Sequence, residues 1–346
     1  MTDLCRALQR RGHDVFIALR PTNEWQEHLD FLPDGRVLHV SVRNPFGVLS
    51  AKRLGSYARK HRIDVIHAHL PRDYFPGSLA STLAKNAKFV LTRHHAQLLK
   101  PFNRFALKNL SAGVAASKEI ERSLSVVFPP HKLRTVANGV DMEFLAGLDK
   151  DALAKEFREF HGIADDAFVV GMIGELTGQG GQREFVLAAG EVAKQHPSSH
   201  FILIGTDPTA TQTNRRELVR LTEVLGLAGK FLFLDHAGDS YGLFSATDVL
   251  LPSLDWEYPG RDVLEAVSLE TAVLQLKGVN SKPFFDIEEI LLEKAEALDI
   301  ATLVGRLAGD RETLDGAVRR SIESVARSHS IDFTAGEIEK VYTKLK

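Results

Sequence analysis

The chain has 346 residues, of which 44% are hydrophobic and 25% charged, which excludes a disordered protein and leaves room for two domains of ordinary size. Its one cysteine, Cys5, excludes an internal disulfide and a cysteine-rich metal site, and no run of about 18 apolar residues is present to span a membrane. The N-terminus also lacks the basic stretch and apolar core of a signal peptide, so we expect a cytoplasmic protein.

The net charge of −2 conceals two halves of opposite charge. Residues 1–150 contain 23 Lys and Arg against 13 Asp and Glu (+10), and residues 151–346 contain 20 against 32 (−12). A basic first half suits an anionic partner such as a phospholipid surface or a phosphorylated acceptor. The alternative is that the opposite charges help two domains to face each other. Nucleic acid is the least favoured partner, because the basic residues are scattered and no recognisable binding motif accompanies them.

Short apolar runs alternate with amphipathic stretches along the first half of the chain. Strands are predicted at residues 15–19, 37–42, 65–69, 89–92, 113–116 and 133–137. Helices are predicted at residues 4–11, 48–61, 78–84, 102–110 and 118–127. This alternation predicts a parallel sheet covered by helices on both faces.

The second half repeats the pattern after a charged, weakly apolar stretch at 148–164, where we place the domain junction. Strands are predicted at residues 168–173, 201–204, 231–234, 249–251 and 273–276. Helices are predicted at residues 183–194, 215–225, 241–245, 300–308, 314–325 and 335–345. The fold class is therefore α/β, with two doubly wound domains in tandem and a ligand cleft between them.

Two carboxylates, Glu257 and Glu265, lie eight positions apart where the strand at 249–251 gives way to a loop and then to a helix. In an open α/β sheet, ligands bind in the loops that follow the carboxyl ends of strands. Two acids there suit the hydroxyls of a polyhydroxylated ligand. The alternative is that both are solvated surface acids.

An ordered set of short motifs accompanies this pair. In chain order they are R-G-H-D-V at 11–15, D-V-I-H-A-H at 64–69, L-T-R-H at 91–94, N-G-V-D at 138–141, L-I-G at 203–205, A-T-D-V-L-L-P-S at 246–253 and E-x7-E at 257–265. The set resembles the GT-B glycosyltransferases of family 4, the group 1 family. These enzymes transfer a sugar from a nucleotide-sugar donor with retention and without a metal.

The resemblance implies a GT-B fold of two tandem Rossmann-like domains. Residues 1–145 would form the acceptor-side domain, residues 146–331 the nucleotide-sugar-binding domain, and a C-terminal helix at 332–346 would pack back onto the first. Met1 falls inside the predicted first helix, so the opening strand of the family and its Gly-Gly acceptor loop are missing. Either the true start lies upstream, or part of the acceptor site has been lost.

The resemblance also implies roles for the acidic and loop residues on the donor side. Glu257 would bind hydroxyls of the donor sugar, and Glu265 the ribose hydroxyls of the nucleotide. The backbone of the intervening loop would approach the sugar and its phosphate, at Tyr258, Pro259, Gly260 and Arg261. No metal site and no bound cofactor is expected, since the nucleotide-diphosphate sugar is itself the donor substrate.

Most candidate site residues in the first half of the chain are histidines. His94 matches the family histidine that reaches toward the donor, and a histidine can hydrogen-bond a phosphate or a sugar hydroxyl near neutral pH. His94 and Glu257 are therefore the catalytic candidates. The candidates on the acceptor side are His69, Arg72 and His95, and His95 is also the alternative to His94 by one position.

The segment that should hold the donor diphosphate departs from the family pattern. Glu175 stands at the arginine position and Gly180 at the lysine position. A carboxylate about 4 Å from a phosphate costs roughly 4 kcal/mol at an effective dielectric of 20. The groups left for the phosphate are glycine amides before a predicted helix and two arginines, Gly174, Gly178, Gly180, Gly181, Arg183 and Arg261. For the glycines, a plain tight turn is the alternative.

The first functional hypothesis is a retaining glycosyltransferase in the cytoplasm, at the membrane face, acting on a lipid-linked or cell-envelope saccharide acceptor. The altered diphosphate segment supports a second hypothesis, a catalytically impaired GT-B relative that binds nucleotide sugars or serves as a partner subunit. A third is a sugar-nucleotide epimerase or hydrolase, which fits the architecture without a specific motif.

Overall fold

The computed structural model describes residues 1–21, 26, 28–40, 47–94, 99, 107–235, 240–254, 260–277 and 284–345. The chain divides into two compact units. Unit 1 is Met1–Gly139 with Ser330–Lys346, and unit 2 is Val140–His329. Within the described ranges, no helix combines the length and the hydropathy that crossing a bilayer requires.

Strands and helices alternate along both units. The strands are β1 (Ile17–Leu19), β2 (Val37–His39), β3 (Val65–Ala68), β4 (Lys88–Arg93), β5 (Leu110–Ala115), β6 (Leu133–Thr135), β7 (Val169–Ile173), β8 (His200–Ile204), β9 (Phe231–Leu234), β10 (Val249–Pro252), β11 (Ala272–Val273), β12 (Gln275–Leu276) and β13 (Leu291–Leu292). The helices are α1 (Thr2–Arg10), α2 (Val48–Lys60), α3 (Pro71–Ala84), α4 (Lys118–Ser125), α5 (Met142–Ala146), α6 (Lys150–His161), α7 (Gln182–Gln195), α8 (Thr213–Val224), α9 (Ser240–Ser245), α10 (Arg261–Ser268), α11 (Ala297–Gly309), α12 (Arg311–Ser328) and α13 (Ile331–Thr343).

Unit 1 contains a four-stranded parallel sheet in the order β3-β4-β5-β6 and a separate parallel pair, β1-β2. The C-terminal helix α13 is part of its core, because Ala335 and Ile338 pack in one cluster with Ala7 and Leu8 of α1 and with Val90 of β4. The last helix of the chain therefore belongs to the same unit as the first.

Unit 2 contains a five-stranded parallel sheet in the order β11-β10-β7-β8-β9, and a short parallel pair, β12-β13. The central strand β7 is buried along its whole length, as expected for a parallel sheet inside helical layers. The parallel sheets confirm the predicted α/β class. They also bring the carboxyl ends of β7, β8 and β10 to one edge of the sheet, where loops bind ligands in such folds.

Two elements differ from the sequence predictions. The sequence predicts no helix at 148–164, where we place the domain junction, but α6 occupies Lys150–His161, and the side chain of its N-cap Asp149 accepts a hydrogen bond from the Ala152 N–H. The helix predicted at 78–84 starts at Pro71 and continues through Pro76, which is buried in its packing. Tertiary contacts thus compensate for the hydrogen bond that a proline cannot donate.

Two other predictions are tested only in part or are divided in the structure. The helix at 102–110 lies mostly outside the described residues, and Leu110 is the first residue of β5 instead. The strand at 273–276 divides between two sheets, because β11 pairs with β10 while β12 pairs with β13. Leu274 lies between them, with its N–H donating to the Leu250 carbonyl.

Candidate functional site

Glycines bring the strand ends of unit 2 into close contact at the carboxyl edge of the sheet. The Gly174 N–H donates to the Ile204 carbonyl at 2.9 Å, and a Cβ added at Gly205 would overlap the Gly174 carbonyl oxygen. A Cβ at Gly174 would lie 2.5 Å from the Cβ of Ser253. Close packing of the strand ends therefore requires glycine at 174 and 205, and the ligand contact predicted for Gly174 stays a prediction.

The turn after β7 leads directly into the N-terminus of α7. Gly181 is the residue before the helix, with φ at +86°, which favours glycine, and no side chain caps the first helical amides. Uncapped amides and the helix dipole favour an anion at this end. Gly178 lies on the same turn and is exposed, and Arg183 is exposed in the first turn of α7.

Gly180, at the family's lysine position, is enclosed. A Cβ there would collide with the Gln182 amide and the Ser253 hydroxyl. Gln182 is buried and donates from Nε2 to the Glu175 carbonyl at 2.6 Å, while its Oε1 has no hydrogen-bond partner among the residues that the structure describes. The side chain of Glu175 is exposed. The turn therefore presents backbone amides, and a side chain added at Gly180 would have to displace Gln182 or Ser253.

Two glycines of this turn form a matched pair for a stability measurement. We expect Gly180→Ala to lower the free energy of unfolding by about 1–3 kcal/mol, because the added methyl displaces Gln182 or Ser253 from a packed position. Gly178→Ala, where nothing lies within 4 Å of the added Cβ, should be neutral or slightly stabilising. Urea unfolding of both variants measures the difference, and equal effects would contradict this packing of the turn.

A cavity of about 250 Å³ opens beside the same strand ends. Its lining combines apolar, aromatic and charged side chains, namely Ile173, Ile204, Ser240, Tyr241, Leu243, Phe244, Arg261, Asp262 and Glu265. All of these residues belong to unit 2. An aromatic ring and a carboxylate in one concave site suit a base and a ribose, respectively.

Glu265 is the buried charge of this cavity. Its side chain is 6% exposed, and Oε1 accepts a hydrogen bond from Arg261 Nε at 2.7 Å, across one turn of α10. Arg261 is the first residue of that helix and is 47% exposed, and Gly260 precedes it as the N-cap. The structure thus brings together the predicted donor residues Gly260, Arg261 and Glu265. The predicted residues Glu257, Tyr258 and Pro259 lie outside the described part of the chain.

A second group of polar side chains lies at the carboxyl end of β3 in unit 1. The rings of His67 and His69 have centroids 4.2 Å apart, and His94 stacks on His69 at 5.8 Å. His67 is held on both sides, by the Tyr342 hydroxyl at 2.6 Å from Nδ1 and by Thr92 Oγ1 at 2.7 Å from Nε2. The structure therefore brings the predicted His69 and His94 together.

Burial keeps two of these imidazoles neutral. Desolvation, reinforced by neighbouring His94, lowers the pKa of His67 from 6.5 to about 3. The pKa of His69 is also lowered well below 6.5, first by desolvation and then by the adjacent histidines and the N-terminal amino group. A proton on either ring would put a charge in a poorly solvated stack.

Stability should therefore fall in mild acid. Below pH 6.5 the unfolded chain binds protons at His67 and His69 that the folded chain excludes, so each contributes a loss of about 1.4 kcal/mol per pH unit. We expect His67→Gln to flatten the dependence of unfolding free energy on pH between 6.5 and 4.5. The surface substitution His131→Gln should leave it unchanged. Urea unfolding at several pH values checks this, and equal slopes for all three proteins would contradict it.

The remaining predicted residues are placed less specifically. Arg72 is exposed near the start of α3, 3.9 Å from Asp73, and His95 lies outside the described ranges. Sequence reasoning missed Tyr241, Gln182 and Tyr342. Tyr241 could have been found from its place on the helix before β10, but no sequence signal links Tyr342 to a histidine 275 positions away.

Comparison with known proteins identifies the class. The structure is similar to a glycosyltransferase from Rickettsia africae, with a TM-score of 0.77 and 18% identity over 99% of this chain and 93% of the other. It is also similar to HepE from Anabaena, solved with UDP and glucose, with a TM-score of 0.75 and 18% identity over 99% and 95% of the two chains. The fold is thus the two-domain, Rossmann-like GT-B fold.

The sequence matches agree with the fold. Residues 1–144 match the profile described as Glycosyltransferase Family 4, and residues 154–282 match Glycosyl transferases group 1. The chain belongs to this family of glycosyltransferases. An uncharacterized glycosyltransferase from Methanocaldococcus jannaschii is 26% identical over 144 residues, which are 42% of this chain and 34% of the relative. That match thus spans about a third of the relative's length.

Proposed function

We propose that the protein transfers a sugar from a nucleotide-diphosphate sugar to a lipid-linked or cell-envelope saccharide, with retention and without a metal ion. The observation that carries the proposal is the cavity of unit 2, where buried Glu265 lies beside Tyr241 at the carboxyl edge of a parallel sheet. The complex of HepE with UDP and glucose supports a nucleotide sugar as the ligand class.

Within this proposal, each group of the cavity has a role. Glu265 accepts hydrogen bonds from the ribose hydroxyls, and the ring of Tyr241 packs against the nucleotide. The amides at the start of α7, after Gly181, hold the diphosphate through the helix dipole. Glu257 binds the donor sugar, and the candidate catalytic residues remain Glu257 and His94.

The charge distribution supports a lipid-linked acceptor and a location at the membrane surface. The net charge of +10 over residues 1–150 favours an anionic membrane surface, where a lipid-linked acceptor is found. We infer a cytoplasmic protein that associates peripherally with the inner face of the membrane. Binding to vesicles of phosphatidylglycerol should fall steeply as salt rises, whereas salt-independent binding would count against an electrostatic contact.

A panel of UDP-, GDP- and ADP-sugars, with and without a lipid-linked saccharide fraction, tests the transfer. We expect release of the nucleoside diphosphate that depends on acceptor, persists in EDTA, and gives a product whose anomeric configuration by NMR matches that of the donor. Absence of binding to every donor would contradict the proposal.

The altered diphosphate turn favours a second function, a nucleotide-sugar-binding subunit without transferase activity. Gly180 is enclosed where the family has a lysine, and Glu175 stands in place of an arginine. Donor binding without turnover for any acceptor would support this function. A measurable transfer that Glu257→Ala and Glu265→Ala abolish would exclude it.

A further inference from the structure

The Arg261–Glu265 ion pair in the unit 2 cavity contains a positive charge of the kind that the diphosphate turn lacks. A nucleoside diphosphate carries its phosphates on the 5′ oxygen of the ribose, so a ribose whose 2′ and 3′ hydroxyls bind Glu265 places the phosphates across one sugar ring from that carboxylate. Asp262 lines the same cavity and adds a second negative charge. A cation would therefore favour a phosphate here, and Gly180, at the family's lysine position, supplies none.

Arg261 is the cation available at this point. Among the described residues that line the cavity, it is the one with a positive charge. Its Nε lies 2.7 Å from Glu265 Oε1, and about half of the side chain, 47%, is open to solvent. Arg183 is also exposed, but it does not line the cavity.

The position of Arg261 on its helix is poor for helix stability. It is the first residue of α10, where the positive end of the helix dipole disfavours a cation. The order of the pair, with the basic residue four positions before the acid, is also the weaker of the two orders on a helix. Helix stability therefore does not explain an arginine at this position.

We propose that Arg261 binds the donor diphosphate, and that it exchanges partners with the ribose when the nucleotide enters. This inference rests on the proposed function of the cavity. The ribose hydroxyls donate to Glu265 and replace the guanidinium there, and the released guanidinium turns to the phosphates. A guanidinium can bind phosphate oxygens in a bidentate arrangement, which compensates for the missing arginine and lysine of the turn.

The test compares nucleosides with their diphosphates, using calorimetry on uridine and UDP, guanosine and GDP, and adenosine and ADP. For the nucleoside and diphosphate of the base that binds, we expect Arg261→Gln to weaken the affinity for the diphosphate by about 10-fold or more. The affinity for the nucleoside should fall by less than about 2-fold or should rise. Arg261→Lys, which keeps the charge but not the planar fork, should fall between. Arg319→Gln, at an exposed position of α12, is the matched control, and the nucleoside and the diphosphate should both bind to it nearly as to wild type.

Two results would overturn the role of Arg261. Equal weakening of nucleoside and diphosphate would show that the arginine only orders Glu265, and unchanged binding of both would show that it contacts neither. Either result leaves the proposed function standing, provided that the wild-type protein binds a nucleotide sugar. A wild-type protein that binds no nucleotide in this panel overturns both proposals. Thermal unfolding of each variant confirms that the fold is retained.

Discussion

Glu265→Gln is expected to weaken binding of the nucleoside diphosphate by about 10- to 100-fold, the equivalent of one or two hydrogen bonds to a charged group. The carboxylate is 6% exposed and lines the unit 2 cavity, so its contacts with ribose hydroxyls are made largely out of water. An amide of the same shape keeps one acceptor but loses the charge. The dissociation constant from calorimetry measures the effect.

The fold should tolerate this substitution. Arg261 is about half exposed, so water can solvate its guanidinium when Glu265 is neutral. The exposed Glu223 on α8 provides the matched control, and Glu223→Gln should leave nucleotide affinity unchanged. If Glu265→Gln binds the nucleoside diphosphate as tightly as wild type, the ribose does not lie at this carboxylate.

Unlike Arg261→Gln, this substitution should weaken nucleoside and diphosphate together, because both ligands carry the ribose. The two variants therefore report on different parts of one ligand. The loss for both ligands in Glu265→Gln, and for the diphosphate alone in Arg261→Gln, follows from the exchange of partners at Glu265.

Asp248→Ala is expected to lower the free energy of unfolding by about 3–5 kcal/mol, the usual effect of breaking a buried ion pair. The Asp248 side chain is 14% exposed and accepts hydrogen bonds from the Val169 N–H at 2.9 Å and from Arg311 at 2.8 Å. Arg158, 12% exposed, lies 3.6 Å away. Removal of the carboxylate leaves a buried arginine and a strand amide without that partner.

Asp315 is the matched control for Asp248, because both carboxylates contact Arg311. The Arg311–Asp315 contact is 3.1 Å, but its side chains are 68% and 53% exposed, so Asp315→Ala should cost less than about 1 kcal/mol. Urea unfolding at neutral pH compares the two. Similar losses would mean that Asp248 does not tie the N-terminal ends of β7 and β10 to the helices around them.

Asp248 also shows that a motif match does not define the role of each residue in the motif. The A-T-D-V-L-L-P-S run was an accurate guide to the family, yet nothing in the run distinguishes a ligand-binding aspartate from a structural one. In the structure the aspartate precedes β10 and lies at the amino end of that strand, whereas Ser253 follows the carboxyl end. The two ends of one motif therefore have different roles.

Periodic apolar runs predicted the sheets of both units, because a strand buried on both faces has a continuous apolar sequence. They failed for α6, whose sequence is mostly charged and whose start depends on the cap at Asp149. The pairing of Arg261 with Glu265 follows from helical i,i+4 spacing and could have been predicted. The contact of His67 with Tyr342 could not, because it depends on α13 packing beside α1 at the opposite end of the sequence.

The altered turn at Glu175–Gly181 was predicted to lack cations, and the structure shows which side chains a restored lysine would have to displace. The space at Gly180 is filled by Gln182 and Ser253. A sequence comparison shows the missing lysine but not the side chains that occupy its place.

A crystal structure of the protein with the nucleoside diphosphate that binds most tightly, chosen from UDP, GDP and ADP, tests the central claim most directly. We predict the ribose hydroxyls within hydrogen-bonding distance of Glu265, the base against Tyr241, and the diphosphate between Arg261 and the first amides of α7. A nucleotide bound elsewhere, or an unchanged Arg261–Glu265 pair with an empty cavity at saturating ligand, would contradict the claim.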